Sequence, residues 1–102
     1  MVHNKLVRDK IPEIIAATGK TCHTETLCQA DYIRALDEKL CEELAEYQES
    51  QSLEELADLL EVMQAVVAAR GYSWEELCRI QTEKRAARGG VRQRIFLKEV
   101  ED

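Results

Sequence analysis

Aromatic side chains are scarce in this chain of 102 residues, at 5% of the total, and proline occurs once. With few rings to fill a core, Leu, Ala, Val and Ile must supply the buried surface, and such residues suit helices packed on helices. No stretch approaches the roughly 20 consecutive apolar residues that a membrane span requires. No apolar signal segment opens the chain, so a cytoplasmic location is expected. The four cysteines show no paired C-x-x-C spacing, so in a reducing compartment they remain thiols. Cys22, His23 and Cys28 read as packing residues and not as a zinc site. There is no internal repeat, Pro-rich linker or low-complexity segment. An excess of positive charge is missing too: the formal net charge of −6 argues against nucleic acid as a partner.

What is present is a charge asymmetry. From Asp31 to Glu76 there are 13 acids and three bases, whereas Lys5, Arg8 and Lys10 precede this stretch and seven bases between Arg79 and Lys98 follow it, opposed only by Glu83. A fold that brings both ends over the acidic middle would hold cations beside anions.

The periodicity predicts four helices in a mainly α, antiparallel bundle that forms a single domain. Pro12 and Gly19 bracket a short first helix. Ile33, Leu36, Leu40, Leu44 and Tyr47 recur at three- and four-residue steps across a second, from about 29 to 49. Ser52 with Glu55, and Ser73 with Glu76, are capping-box patterns that open a third helix ending at Arg70-Gly71 and a fourth ending at Gly89-Gly90. The segments 94–100 and 20–27 are candidates for a short two-stranded element near the C-terminus.

Several acids stand where a solvated face is not expected. With 100° per residue, the apolar positions of the second helix span an arc of roughly 80°. Glu43 falls about 20° outside that arc, and Glu46, three residues on, shares its edge. On the third helix, Glu55 and Asp58 share a stripe with Val62, Ala65 and Ala69. Two helices joined by a tight turn run antiparallel, which can set Glu43 and Glu46 against Glu55 and Asp58. Four half-buried carboxylates repel one another, so they take up protons or hold a divalent cation, and oxygen-only ligands favour Mg2+ or Mn2+. Separately, the apolar arc of the third helix is wider than one neighbour can cover, which predicts a homodimer or homotetramer.

Glu42-Glu43-Leu44-Ala45-Glu46 followed by Glu55-Leu56-Ala57-Asp58 resembles the E-E-x-x-E…E-x-x-D signature of the MazG-like all-alpha nucleoside triphosphate pyrophosphatases. The opening Asn4 to Pro12 and the later Lys84…Arg88-Gly89-Gly90…Arg94-Ile95 resemble its phosphoribosyl-ATP pyrophosphohydrolase-like subgroup. The resemblance implies metal-dependent hydrolysis of a nucleoside triphosphate, in a house-cleaning role, to the monophosphate and pyrophosphate. Glu43, Glu46, Glu55 and Asp58 would then be metal ligands, with Glu43 or Glu46 taking the proton from the attacking water. Acids alone would repel a triphosphate, so Lys5, Arg8, Lys10, Lys84, Arg88 and Arg94 are the candidate phosphate contacts. Two other readings stay open: hydrolysis of phosphoribosyl-ATP itself, and a non-catalytic helical interaction module.

Overall fold

The computed structural model describes residues 4–102. Its elements are α1 (Ile11–Ala17), α2 (Gln29–Ser50), α3 (Leu53–Ala69) and α4 (Trp74–Arg88), with no strand among the described residues. The mainly α prediction therefore holds. Each helix boundary lies within about two residues of its sequence signal, as expected where the cap chemistry is strong.

The two strand candidates are corrected. Residues 20–27 and 94–100 form neither helix nor strand. Arg94 adopts a left-handed backbone (φ 61°), which breaks the extended run at its first residue, and among the described residues no sheet edge is present to pair with the remainder.

The centre of the molecule is the α2–α3 hairpin, closed by Gln51 in the left-handed region (φ 57°) and by Ser52 as the N-cap of α3. At its other end the Gln29 side chain donates to the Ala69 carbonyl at 2.8 Å, and Arg70 pairs with Asp37 at 3.1 Å. These contacts fix the antiparallel register by joining the start of α2 to the end of α3. Leu36 and Val62 are the buried apolar side chains between the helices.

Beyond Arg70 the chain turns through Gly71 (φ 85°) into α4. Ser73 closes a complete capping box there: its hydroxyl accepts from the Glu76 N–H at 3.1 Å, and Glu76 accepts from the Ser73 N–H at 3.2 Å. Among the described residues α4 packs against no helix except α3. That contact is at its first turns, where Leu77 and Ile80 meet Val67 and Tyr72 across a shallow apolar groove. The molecule measures 63 × 31 × 23 Å, while a helix as long as α2 spans only about 33 Å. The long dimension therefore exceeds the hairpin alone.

Candidate metal centre

The acidic site forms near the closed end of the hairpin, because a two-residue turn leaves the last two turns of α2 facing the first two turns of α3. Glu43 is at the centre of the group. Its side chain is buried, at 7% residue exposure, and it belongs to two sets of carboxylates. Glu43, Glu55 and Asp58 each offer an oxygen, all within 4.8 Å of one another, and Glu42, Glu43 and Glu46 form a second such trio along α2. The structure thus groups Glu43 with Glu55 and Asp58 across the hairpin, whereas Glu46 joins Glu43 only along α2, in a trio that adds Glu42, the residue next to Glu43 in the acidic motif.

The hydrogen bonds of these acids are incomplete. Lys39, one helical turn before Glu43, approaches Glu43 Oε1 at 3.4 Å. Oε2 of Glu43 and Oε2 of Glu55 are both buried with no hydrogen-bond partner. Leaving a buried acceptor unsatisfied costs about 1–3 kcal/mol, and more when it is charged. Burial raises the Glu43 carboxyl above its usual range, and the neighbouring negative charge of Glu46 pushes it the same way, with Lys39 opposing. Two orphaned carboxylate oxygens inside one trio of converging ligands are the arrangement a hard divalent cation satisfies. The residues therefore fit Mg2+ or Mn2+.

Glu55 reaches this site because it does not cap its own helix. Its N–H donates to the Ser52 hydroxyl at 3.3 Å, but the Ser52 N–H donates at 3.3 Å to the hydroxyl of Ser50 and not to the Glu55 carboxylate.

The basic residues divide into two groups. Arg8 donates to Asp58 Oδ1 at 2.6 Å, and Lys5 lies 3.7 Å from Glu42. The hydrogen bond to Asp58 raises the pKa of the Arg8 guanidinium further, so its positive charge is held against the acids. With Leu6, Val7, Ile11, Ile15, Lys39 and Asp58, these two cations line an open cleft of about 340 Å³, within the range of ligand pockets. Lys10 is exposed at the start of α1. Lys84, Arg88 and Arg94 are on the outer part of α4 and the tail, all exposed and without an ion pair among the described residues. Asp58 and Arg70 are separated by roughly 18 Å of helix, and α4 departs from the far end. Within one chain α4 is not brought to the acids.

Lys39 was not among the residues singled out. Its signal in the sequence is the i,i+4 spacing to Glu43, which places a cation directly beside that carboxylate. Cys22 is half-buried, Cys28 is exposed and both are free thiols. Neither belongs to a ligand cluster among the described residues.

Among the described residues no helix is long and apolar enough to cross a membrane. No family model matches the chain, and no solved structure does. A Mycolicibacterium smegmatis protein described as uncharacterized is 55% identical over 42 residues, which is 41% of this chain and 43% of that protein. The matched segment thus spans less than half of that relative.

Proposed function

We propose that this chain is a divalent-metal-dependent pyrophosphohydrolase that cleaves a nucleoside triphosphate between its α and β phosphates, giving the monophosphate and pyrophosphate. One observation carries this reading. Two buried carboxylate oxygens without partners, on facing helices, point into a cluster of acids, and that cluster borders a cleft lined by Lys5, Arg8 and Lys39. Acids grouped for a cation beside cations grouped for an anion suit a metal-chelated polyphosphate.

Glu43, Glu46, Glu55 and Asp58 would hold Mg2+ or Mn2+. When bound, the ion supplies charge neutralisation at the phosphate oxygens and lowers the pKa of a coordinated water. Of the protein groups, Glu43 or Glu46 would accept the proton from the attacking water: burial and the like charge of Glu46 raise the proton affinity of Glu43, and a stronger base takes a proton more readily. Arg8 is held in the cleft by Asp58 and offers its remaining N–H groups to phosphate oxygens. Lys5 and Lys39 add positive charge on the same side.

The test is a panel of standard and damaged nucleoside triphosphates together with phosphoribosyl-ATP, each incubated with Mg2+ or Mn2+ and assayed for pyrophosphate and monophosphate. Pyrophosphate release that requires the metal is the expected result. Release of orthophosphate instead, or no turnover of any substrate with either metal, overturns the proposal.

A further inference from the structure

We propose that Arg8 changes partners during binding: it holds Asp58 while the acidic cluster carries no divalent ion, and it passes to the phosphate chain of the substrate once such an ion takes Asp58.

The segment that carries Arg8 is fastened to the hairpin chiefly by charge. Helix α1 packs closely against no other helix and contains no buried residue. The backbone hydrogen bonds of residues 4–19 all close within the segment itself. Among the described residues, its polar ties to the hairpin are two ion pairs, Arg8 to Asp58 at 2.6 Å and Lys5 to Glu42 at 3.7 Å. Leu6, Ile11 and Ile15 are half-buried along the same cleft. Both ion pairs end on acids of the cluster: Asp58 belongs to the trio with Glu43 and Glu55, and Glu42 to the trio with Glu43 and Glu46. Residues 5–8 are therefore a strap fastened to the groups that would meet the ion. That the cluster takes a cation rests on more than its charge. Glu43, at 7% exposure, has a buried carboxylate oxygen with no partner, and so does Glu55.

Arg8 and a divalent ion are rivals for one carboxylate. The guanidinium donates to Asp58 Oδ1, and Asp58, Glu61 and Glu43 all attract its charge. A divalent cation within the trio of Glu43, Glu55 and Asp58 cancels that attraction and repels Arg8, since charges about 4–6 Å apart interact strongly. The Arg8–Asp58 pair is open to solvent, with 54% and 40% of the two side chains exposed, so it contributes little by itself and is released readily. Once released, Arg8 lines the same cleft as Lys5 and Lys39 with its whole fork of donors free, and a polyphosphate chelated to the ion supplies the anion that draws it back. This order selects the chelated substrate: a free polyphosphate meets cations already paired with acids, whereas a chelated one meets a cation set free. The phosphate half of the handover rests on the pyrophosphohydrolase reading above. Rivalry between Arg8 and the ion rests on the cluster alone.

The test uses the full chain and Mn2+ in calorimetric titration. Arg8→Ala is expected to bind Mn2+ alone about two- to fivefold more tightly than the wild type, the worth of an exposed ion pair. It is expected to bind adenosine α,β-methylene triphosphate, added with Mn2+, at least about tenfold more weakly, as for a lost charge-assisted contact. Arg34→Ala removes an equal charge at the start of α2, where Arg34 pairs with Asp31, and is expected to change neither affinity. In the wild type, amide hydrogen exchange of residues 4–17 is expected to quicken with Mn2+ alone and to slow below the metal-free rate when the analogue is added. Equal or weaker Mn2+ binding by Arg8→Ala would overturn the proposal, because Arg8 would then be orienting Asp58 as a ligand. Hydrogen exchange that Mn2+ alone leaves unchanged or slows overturns it as well, and so does equal analogue binding by the two proteins. If the two affinities shift in opposite directions and no triphosphate is hydrolysed, the handover stands and the enzymatic reading falls.

Discussion

The same four-residue pattern, serine followed three positions later by glutamate, opens both α3 and α4, and the two helix starts resolve it differently. At α4 the box closes in both directions: Ser73 caps Glu76, and Glu76 caps Ser73. At α3 only half of it forms. Ser50, the last residue of α2, takes over the bond that Glu55 would make, and Glu55 turns into the acidic cluster with one oxygen buried and unpartnered. A local motif has thus been released for another purpose by a neighbour from the preceding helix. Where the four α4 groups are all satisfied, the structure gains stability; where α3 leaves one unsatisfied, a carboxylate oxygen is left free within the acidic cluster.

The largest effect that separates the two starts should be on turnover. Glu55→Ala or Asp58→Ala is expected to lower kcat by on the order of a hundredfold or more, since even supporting residues of metal sites cost 10–100-fold when changed. Glu76→Ala should leave kcat within about twofold and lower stability by about 0.5–1 kcal/mol, the worth of a cap. These outcomes are read from pyrophosphate release and from urea unfolding. Comparable losses of activity in both variants would erase the distinction.

Next in size is Arg8→Ala. Loss of a charge-assisted contact of roughly 1.5–3 kcal/mol predicts a fall in kcat/KM of about ten- to a hundredfold. That fall should be similar across triphosphates, because a guanidinium reads phosphate geometry and not the base. A loss confined to one nucleotide would place Arg8 at the base.

A smaller effect is expected in the pH dependence of stability. The Glu43 carboxyl is raised on folding, so the folded chain binds more protons than the unfolded one between the ordinary carboxylate value and the raised one. The contribution of Glu43 is therefore present at low pH and is lost as pH rises through the raised value. In metal-free protein, Tm should climb as pH is lowered from 8 toward the carboxylate range, and Glu43→Gln should flatten that slope. Mg2+ or Mn2+ should stabilise the wild type most at high pH, where the carboxylates are free to bind.

The smallest effect and the sharpest probe of the comparison is Ser50→Ala. Without the Ser50 hydroxyl, Glu55 can swing back to the Ser52 N–H and close the box as at α4. Unfolding free energy should then change by less than about 0.5 kcal/mol, because one capping bond replaces another. Mn2+ affinity in calorimetric titration should fall severalfold. Unchanged metal affinity would show that Glu55 is held in the cluster by something other than Ser50.

Much of this was determined by the sequence alone, because it depends on contacts within a few residues. Three- and four-residue apolar steps, Ser52 and Ser73 as caps, Pro12 and the glycines place all four helices, and the 43/46 and 55/58 spacings put each pair of acids on one helix edge. The tail misled because Arg94-Ile95-Phe96-Leu97 has strand-like composition, and whether an extended segment becomes a strand depends on a sheet edge elsewhere. Tertiary structure alone decided the rest. It set Glu43 opposite Glu55 and Asp58, brought Arg8 to Asp58 across 50 residues of chain, and left Lys84, Arg88 and Arg94 without an ion pair to those acids among the described residues. The physical reason is range: backbone hydrogen bonds and caps act over one helical turn, whereas the meeting of charges from separate helices is set by how their apolar faces pack, and one face of α3 remains bare in the single chain.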